Sequence, residues 1–380
     1  AANGNTDWRD AELKELLNHK SNESFTVQPS SVRPRDRRLV KFTWVYKTKR
    51  NGTKKARLCV QGCTQVSGVD YDQTWCGAMR PTSLRVIASI AAARGWEMRR
   101  WDFVSAYLQG ELLDGEVVYC SPPPGGLDDS GADLTSVICV VRKPIYGMAQ
   151  AGRRWQRSLF PWLIEQGFTC CEADRCVFVL QRTVDTPDGP RVENLIIGCY
   201  VDDLQIIASH TDEHSLYSQF VTNMQSRWSV EDEGEVTDLL GVEFVRKNDE
   251  ITLTQTAYIE KMVGVYCPDG VPNLMQANGT PCDRDILQEV VDGLADETPR
   301  DPQDTRAFQS IVGALLYCAT QTRPDVAYAV GMLCRCMARV TPALMASAHR
   351  VLHYLYVTRE LGLRYVASDR PLYGMSDADW

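Results

Sequence analysis

The chain has 380 residues, 44% of them hydrophobic and 24% charged, with a formal net charge of −8. That length exceeds what one compact core usually holds, so at least two subdomains are expected from a composition that is otherwise ordinary for a globular protein. No apolar run approaches the roughly eighteen residues that cross a bilayer, since Val137–Val141 and Leu195–Val201 are strand-sized, and no membrane partner is expected.

The opening Ala1–Asp7 lacks an initiator Met and a signal-peptide pattern, and Ser376–Trp380 carries no stop signal, so both ends read as cut from a longer chain. Fourteen cysteines are scattered, several of them inside apolar stretches (Cys139, Cys199, Cys318). Buried reduced thiols in a cytosolic or nuclear protein are the expectation. Charge is unevenly spread. Between Arg33 and Arg57 stand eleven basic residues against one acid, Asp36, so this stretch is +10 and the remainder −18. Such one-sign clustering points to a polyanion, nucleic acid or nucleotide phosphates, where a merely solvated face would mix signs.

Val40–Thr48 and Lys55–Gln61 alternate and flank Asn51-Gly52, the strongest short hairpin signal, so the basic residues are predicted to lie on a β-hairpin. Pro81-Thr82-Ser83 offers a helix cap, with Leu84, Ile87, Ile90 and Ala91 at helical spacing and Gly95 as the stop. Met98–Val104 reads as a strand and Ser105–Gln109 as a tight turn or helix start. Ser121–Ala132 reads as a loop and Arg153–Gln166 as an amphipathic helix ended by Gly167. Val192–Val201 and Leu204–Ala208 read as a hairpin with Asp202-Asp203 at its tip. Thr211 is predicted to cap a helix reaching Arg227, and Leu239–Arg246 with Ile251–Gln255 to form a second hairpin. Pro268–Thr298 reads as a linker or surface loop. Three helical patterns follow, at Asp304–Thr320, Pro324–Arg339 and Pro342–Arg359.

Tyr200-Val201-Asp202-Asp203-Leu204 carries the chemistry. Turns favour Asp, but adjacent carboxylates flanked by apolar strands repel each other. A hard divalent cation such as Mg²⁺, which takes oxygen ligands and shares substrate phosphates, relieves that repulsion. Asp102, at the end of a strand, supplies a third carboxylate. Two metals about 4 Å apart would clamp the attacking and leaving oxygens of a phosphoryl transfer. His349 and His353 at i, i+4, with Cys334 and Cys336, raise a zinc reading. The two cysteines fall on different helix faces, and packing is the plainer role.

These motifs, with Lys55-Ala56-Arg57-Leu58, Gly68–Thr74, Ala106–Glu111, Tyr146–Ala151, Arg154-Trp155, Leu240-Gly241, Thr322-Arg323-Pro324-Asp325 and Ser376–Trp380, stand in an order and spacing that resembles the reverse transcriptase of Ty1/copia-type LTR retrotransposons, from about Trp44 to Trp380. The resemblance implies an α+β, right-hand fingers–palm–thumb polymerase with a split βαβ palm, followed by a helical connection. It implies a lead segment at 1–32, fingers and palm at 33–250, a thumb-like region and linker at 251–300, a connection at 301–370 and the start of a truncated RNase H domain at 371–380. Asp102, Asp202 and Asp203 would hold two Mg²⁺ ions, with Mn²⁺ as a substitute. Lys47, Lys49, Arg50, Lys55 and Arg57 would grip the incoming triphosphate. Tyr107 would pack under the sugar and Gln150 near the nucleotide. Leu240 and Gly241 match the primer grip, and Asp377 the first RNase H carboxylate. The implied reaction is transfer from a dNTP to a primer 3′-hydroxyl on an RNA or DNA template. The implied partners are RNA template, DNA primer, dNTPs and the rest of a Pol polyprotein, integrase upstream and RNase H downstream, in cytoplasmic virus-like particles or the nucleus. The chain departs from the usual pattern at Trp75 (commonly another aromatic), Ala78-Met79 (Pro-Val), Met148 (Leu), Ala149 (Lys) and Gly152 (Pro), and none of these removes a carboxylate. A catalytically idle remnant that binds nucleic acid is the alternative, and a DNA-templated palm polymerase a third.

Overall fold

The computed structural model describes residues 6–48, 52–128, 133–270, 279–283 and 285–367. The chain is a mixed α/β protein in two compact units, Ala1–Ser83 with Met98–Gly234, and Leu84–Glu97 with Glu235–Trp380.

In the first unit, six strands form one sheet in the order Val230–Glu235, Glu97–Phe103, Asp203–Ala208, Gly189–Tyr200, Val177–Thr186, Thr169–Cys170. Its centre is apolar on both faces. Leu195, Ile197, Leu204, Ile206 and Ile207 are all buried, which explains the unbroken hydrophobic runs there. The helix Ala151–Glu165 buries Trp155, Leu159, Trp162 and Leu163 and ends before Gly167 at φ +97°. Its Trp155 ring meets Phe103 edge-on at 4.7 Å and Trp228 at 5.1 Å, and Trp162 meets Phe220 at 5.6 Å. The two edge-to-face pairs of Trp155 add to the burial of the rings themselves.

A second sheet of this unit runs Phe25–Pro29, Val137–Val141, Val118–Cys120, Leu39–Val40. The basic hairpin is formed by Phe42–Thr48 and Lys54–Val60. A helix over Thr6–Ser21, absent from the sequence expectation, lies against it. Tyr46 donates to Glu12 Oε1, the Leu58 amide donates to Glu15 Oε1 at 3.3 Å, and Trp8 meets Tyr46 at 4.9 Å.

The expected caps shift. The helix Pro81–Arg94 begins at Pro81, a residue pre-set for a first turn, and Ser83 Oγ donates to Asp174 at 2.6 Å instead of capping. The helix Leu216–Arg227 is capped by Ser215, whose Oγ accepts from the Ser218 amide at 3.1 Å, and not by Thr211.

In the second unit the strands Asp238–Leu239, Val242–Lys247, Glu250–Thr254 and Leu363–Val366 form a sheet. The helices Thr256–Tyr266, Ile286–Ala295, Pro302–Gln321, Ala327–Cys334 and Pro342–Val357 enclose a core that includes Phe308, Leu315, Val330, Leu344 and Leu352. Ile286–Ala295 falls inside the stretch expected to be a loop. It is amphipathic, burying Ile286 and Val290, and the surrounding Pro and Gly residues mask it. Cys336 and His353 are buried in this unit. Arg323, 1% exposed, is bidentate to Asp325, donates to Thr358 O at 3.0 Å and lies over Tyr354. The Thr322–Asp325 motif therefore ties the end of the Pro342–Val357 helix.

Leu240 and Gly241 form a two-residue turn between paired Leu239 and Val242, with φ of +56° and +74°. Two positive φ values favour Asn-Gly over Leu-Gly. Leu240→Asn is expected to stabilise the protein by about 1 kcal/mol, seen as a higher melting temperature. A lower one would mean that the Leu240 side chain contributes more than its backbone strain takes away.

Candidate active site

Tyr200 pairs with Asp203, so the two residues at the hairpin tip are Val201 and Asp202, and Asp203 is already in the strand. This corrects the expectation that both carboxylates sit in the turn. Val201 has φ +59°, an unfavourable conformation for a β-branched residue that persists only where the surroundings impose it. Two bonds do so. The indole N–H of fully buried Trp155 donates to Val201 O at 2.9 Å, and the Phe103 amide donates to Asp202 O at 3.3 Å. The second bond joins the tip to the neighbouring strand beside Asp102.

The site is acidic and partly buried. Burial pushes the Asp102 carboxyl up to about 6, assisted by the charges of Asp202, Asp203 and Glu233 and opposed by Lys55. Asp203, close enough for its charge to act on Asp102, is engaged in an ion pair. Its Oδ1 accepts from Arg100 Nη2 at 2.8 Å, and Arg100 also pairs with Glu233 at 2.9 Å. Among the described residues no group of three acidic, His or Cys side chains stands close enough to hold a metal ion. Asp102 and Asp202 nevertheless fit Mg²⁺, which is commonly held by one or two carboxylates plus substrate phosphates and water. Their mutual repulsion is what such an ion neutralises.

An aromatic wall adjoins them. Ser105, at φ +54°, turns the chain out of the strand into the short helix Ala106–Gln109, which carries Tyr107. The Tyr107 ring lies 4.5 Å from that of Tyr146, whose hydroxyl donates to Asp202 Oδ2 at 3.3 Å. Burial, then the Asp202 charge, pushes the Tyr107 hydroxyl up to about 12 and that of Tyr146 higher still. Tyr146 is fixed from below. Its carbonyl accepts from the Val60 amide at 2.8 Å, and a Cβ on Gly147 would fall 2.2 Å from Val60 O, so only glycine lets the two backbones approach.

The hairpin register places Lys47 opposite Lys55 and Val45 opposite Arg57, on the face away from the Thr6–Ser21 helix, while Trp44, Tyr46, Ala56 and Leu58 share the other face. The Arg57 guanidinium lies 4.9 Å from the centre of the Tyr146 ring. Arg57 and Lys55 thus reach the carboxylate site, and Lys47 is exposed on the same face. Lys49 and Arg50 lie outside the described residues, as does Asp377.

Gln150 is fully buried. Its amide donates to Asp70 O and accepts from Gln65, both at 3.2 Å, so the side chain is committed to holding the loop. Leu240 and Gly241 belong to the second unit, where Tyr317 donates to Leu240 O. Sequence reasoning missed Arg100, Glu233 and the role of Tyr146. Arg100 stands two residues before Asp102 on one strand, and that spacing alone puts both on one face.

Residues 23–267 match the family described as reverse transcriptase (RNA-dependent DNA polymerase). The chain is 31% identical over 98% of its length to the retrovirus-related Pol polyprotein from transposon RE1 of Arabidopsis thaliana, and 30% identical over 98% to that from transposon RE2 of the same plant. It is 28% identical over 91% to the Pol polyprotein from transposon TNT 1-94 of Nicotiana tabacum. It spans about a quarter of these relatives, 24% of the first two. Among solved structures, a foamy viral protease-reverse transcriptase in complex with double-stranded DNA superposes with a TM-score of 0.52 at 12% identity, covering 93% of this chain and 49% of that one, a likeness of fold alone.

Proposed function

The chain belongs to the Ty1/copia-type reverse transcriptase family, and we propose that it catalyses transfer of a nucleotide from a dNTP to a primer 3′-hydroxyl on an RNA or DNA template, releasing pyrophosphate. One observation carries this reading: Asp102 and Asp202 converge from neighbouring strands in a partly buried acidic site faced by Arg57 and Lys55. In this reading the six-stranded sheet is a palm of split βαβ type, the basic hairpin belongs to the fingers, and the second unit supplies thumb and connection.

Mg²⁺, when bound, lowers the pKa of the primer hydroxyl and neutralises the triphosphate. Asp102 and Asp202 would hold it. Tyr146 orients the Asp202 carboxylate through its hydroxyl, and Arg100 holds the Asp203 carboxylate by an ion pair. Arg57 and Lys55 attract the triphosphate, and Lys47, Lys49 and Arg50 extend that cationic surface. Tyr107 walls the sugar. Leu240 and Gly241 guide the primer, and Asp377 begins an RNase H segment. Integrase and RNase H neighbours in a Pol polyprotein, and residence in cytoplasmic virus-like particles or the nucleus, belong to the same proposal. Mg²⁺-dependent extension of a primed RNA template by the purified chain tests it. Duplex binding without extension on RNA or DNA would favour the idle remnant.

Replacing Lys55 and Arg57 together by Gln is expected to raise KM for dNTP about tenfold or more and to reduce the salt slope of dNTP binding by about one to two. Weaker template binding with unchanged KM would make the hairpin a duplex clamp. Tyr107→Val is expected to admit ribonucleotides, since a flat ring against the sugar leaves the 2′-hydroxyl neither volume nor a partner. The ratio of kcat/KM for matched rNTP and dNTP decides; an unchanged ratio with both rates falling would make Tyr107 a packing residue.

A further inference from the structure

Trp75 is 72% exposed, the most exposed of the large apolar side chains among the described residues. An indole left in water forgoes its burial free energy, so its exposure on an otherwise well-held segment asks for a partner. The segment is held tightly on both sides of it. Arg153 donates to Trp75 O at 3.0 Å and to Gln73 Oε1. Gln156 accepts from the Gly77 amide at 3.0 Å and donates to the Gly77 carbonyl. The ring itself rests against Gly77, where an added Cβ would stand 3.7 Å from the indole Cη2. The backbone is thus held on both sides of an indole whose face is open.

The position adjoins the site. Cys76, the next residue, has its Sγ against Gly152, and Gly152 also neighbours the Tyr107 hydroxyl. A Cβ at 152 would fall 2.7 Å from the sulfur and 3.8 Å from the hydroxyl. Trp75 therefore stands one residue outside the wall that Tyr107 forms. Arg153 and Arg157, one helical turn apart, supply positive charge on the helix that clamps this segment. An exposed aromatic face on a held backbone, combined with cations, is the composition of a single-strand binding platform, on which bases stack without regard to sequence.

We propose that Trp75 stacks on an unpaired base of the template strand ahead of the nucleotide site. This rests on the polymerase reading above. Of the substrates of that reaction, the template alone offers unpaired bases; the primer is paired, and the incoming nucleotide lies within the Tyr107 wall.

The test is the affinity of the full chain for a labelled RNA–DNA primer-template, either blunt or with a three-nucleotide 5′ template overhang, measured by fluorescence anisotropy at fixed salt. Trp75→Ala is expected to weaken binding of the overhang substrate about tenfold or more and to leave blunt-duplex binding unchanged, with Trp75→Phe retaining most of the difference. Equal affinities of wild type and Trp75→Ala for both substrates, or equal losses on both, would overturn the proposal. So would a change confined to sedimentation, which would mark Trp75 as a contact between copies. Wild-type chain that extends primers while Trp75→Ala shows no overhang-specific loss sinks the stacking role alone. Wild-type chain that binds neither substrate sinks the polymerase reading as well.

Discussion

Asp202→Asn is expected to lower primer extension by roughly a thousandfold or more, as expected for losing several kcal/mol of metal-assisted charge stabilisation. An amide keeps the size of the side chain and still accepts the Tyr146 hydroxyl bond, but it lacks the negative charge that a hard cation requires. The contribution of this residue to the fold runs through its carbonyl, which the Phe103 amide binds and the substitution leaves in place. Thermal melting should therefore stay close to wild type while single-turnover incorporation collapses. Near-normal incorporation by the folded variant would remove Asp202 from the chemistry.

The second large effect lies beneath the site. Trp155→Ala is expected to destabilise the protein by about 3–5 kcal/mol, the usual range for emptying a fully buried aromatic position. Trp155→Phe separates two roles. A phenyl ring keeps much of the contact with Phe103 and Trp228, but the N–H that holds Val201 O is gone. A carbonyl left without its donor costs about 1–3 kcal/mol. Here that loss falls on a turn already held at an unfavourable φ, so incorporation should drop about tenfold, since small misplacements of reacting groups are heavily penalised. Urea melts and single-turnover rates measured on the same preparations would check this. Wild-type rates in Trp155→Phe would mean that the turn keeps its shape unaided.

Much of the site was legible in the sequence because its signals are local. Asn51-Gly52 between alternating strands marks the basic hairpin, and Asp202-Asp203 between apolar runs marks the acidic one. What failed was set by distant partners. The tip of the acidic hairpin moved by one residue because the pairing of Tyr200 with Asp203, together with the Trp155 bond, holds a valine where turn rules disfavour it. Gln150 looks like a polar contact for a ligand, yet Gln65, far away in sequence, and the backbone of Asp70 claim its amide. The helix Thr6–Ser21 gave no apolar stripe because, of its described residues, Glu12 and His19 are buried beside Leu16, Glu12 being held by Tyr46 of the hairpin and His19 bonding to Ser24 through Nδ1. The strand Val177–Thr186 has an irregular inside–outside pattern, with Val177 and Phe178 both buried, and so shows no alternation in sequence.

That N-terminal helix has a practical side. The family pattern starts at residue 23, so a recombinant fragment trimmed to 23–267 would leave out the helix and uncover Trp44, Tyr46, Ala56 and Leu58 on the back of the basic hairpin. At its other border the same trimming would keep Ile259 and Met262 while discarding Phe308, Ile311 and Leu315, which share their core. Freshly bared apolar faces of this kind promote aggregation. Insolubility of such a fragment would therefore report where the cut was made and would carry no information about catalysis.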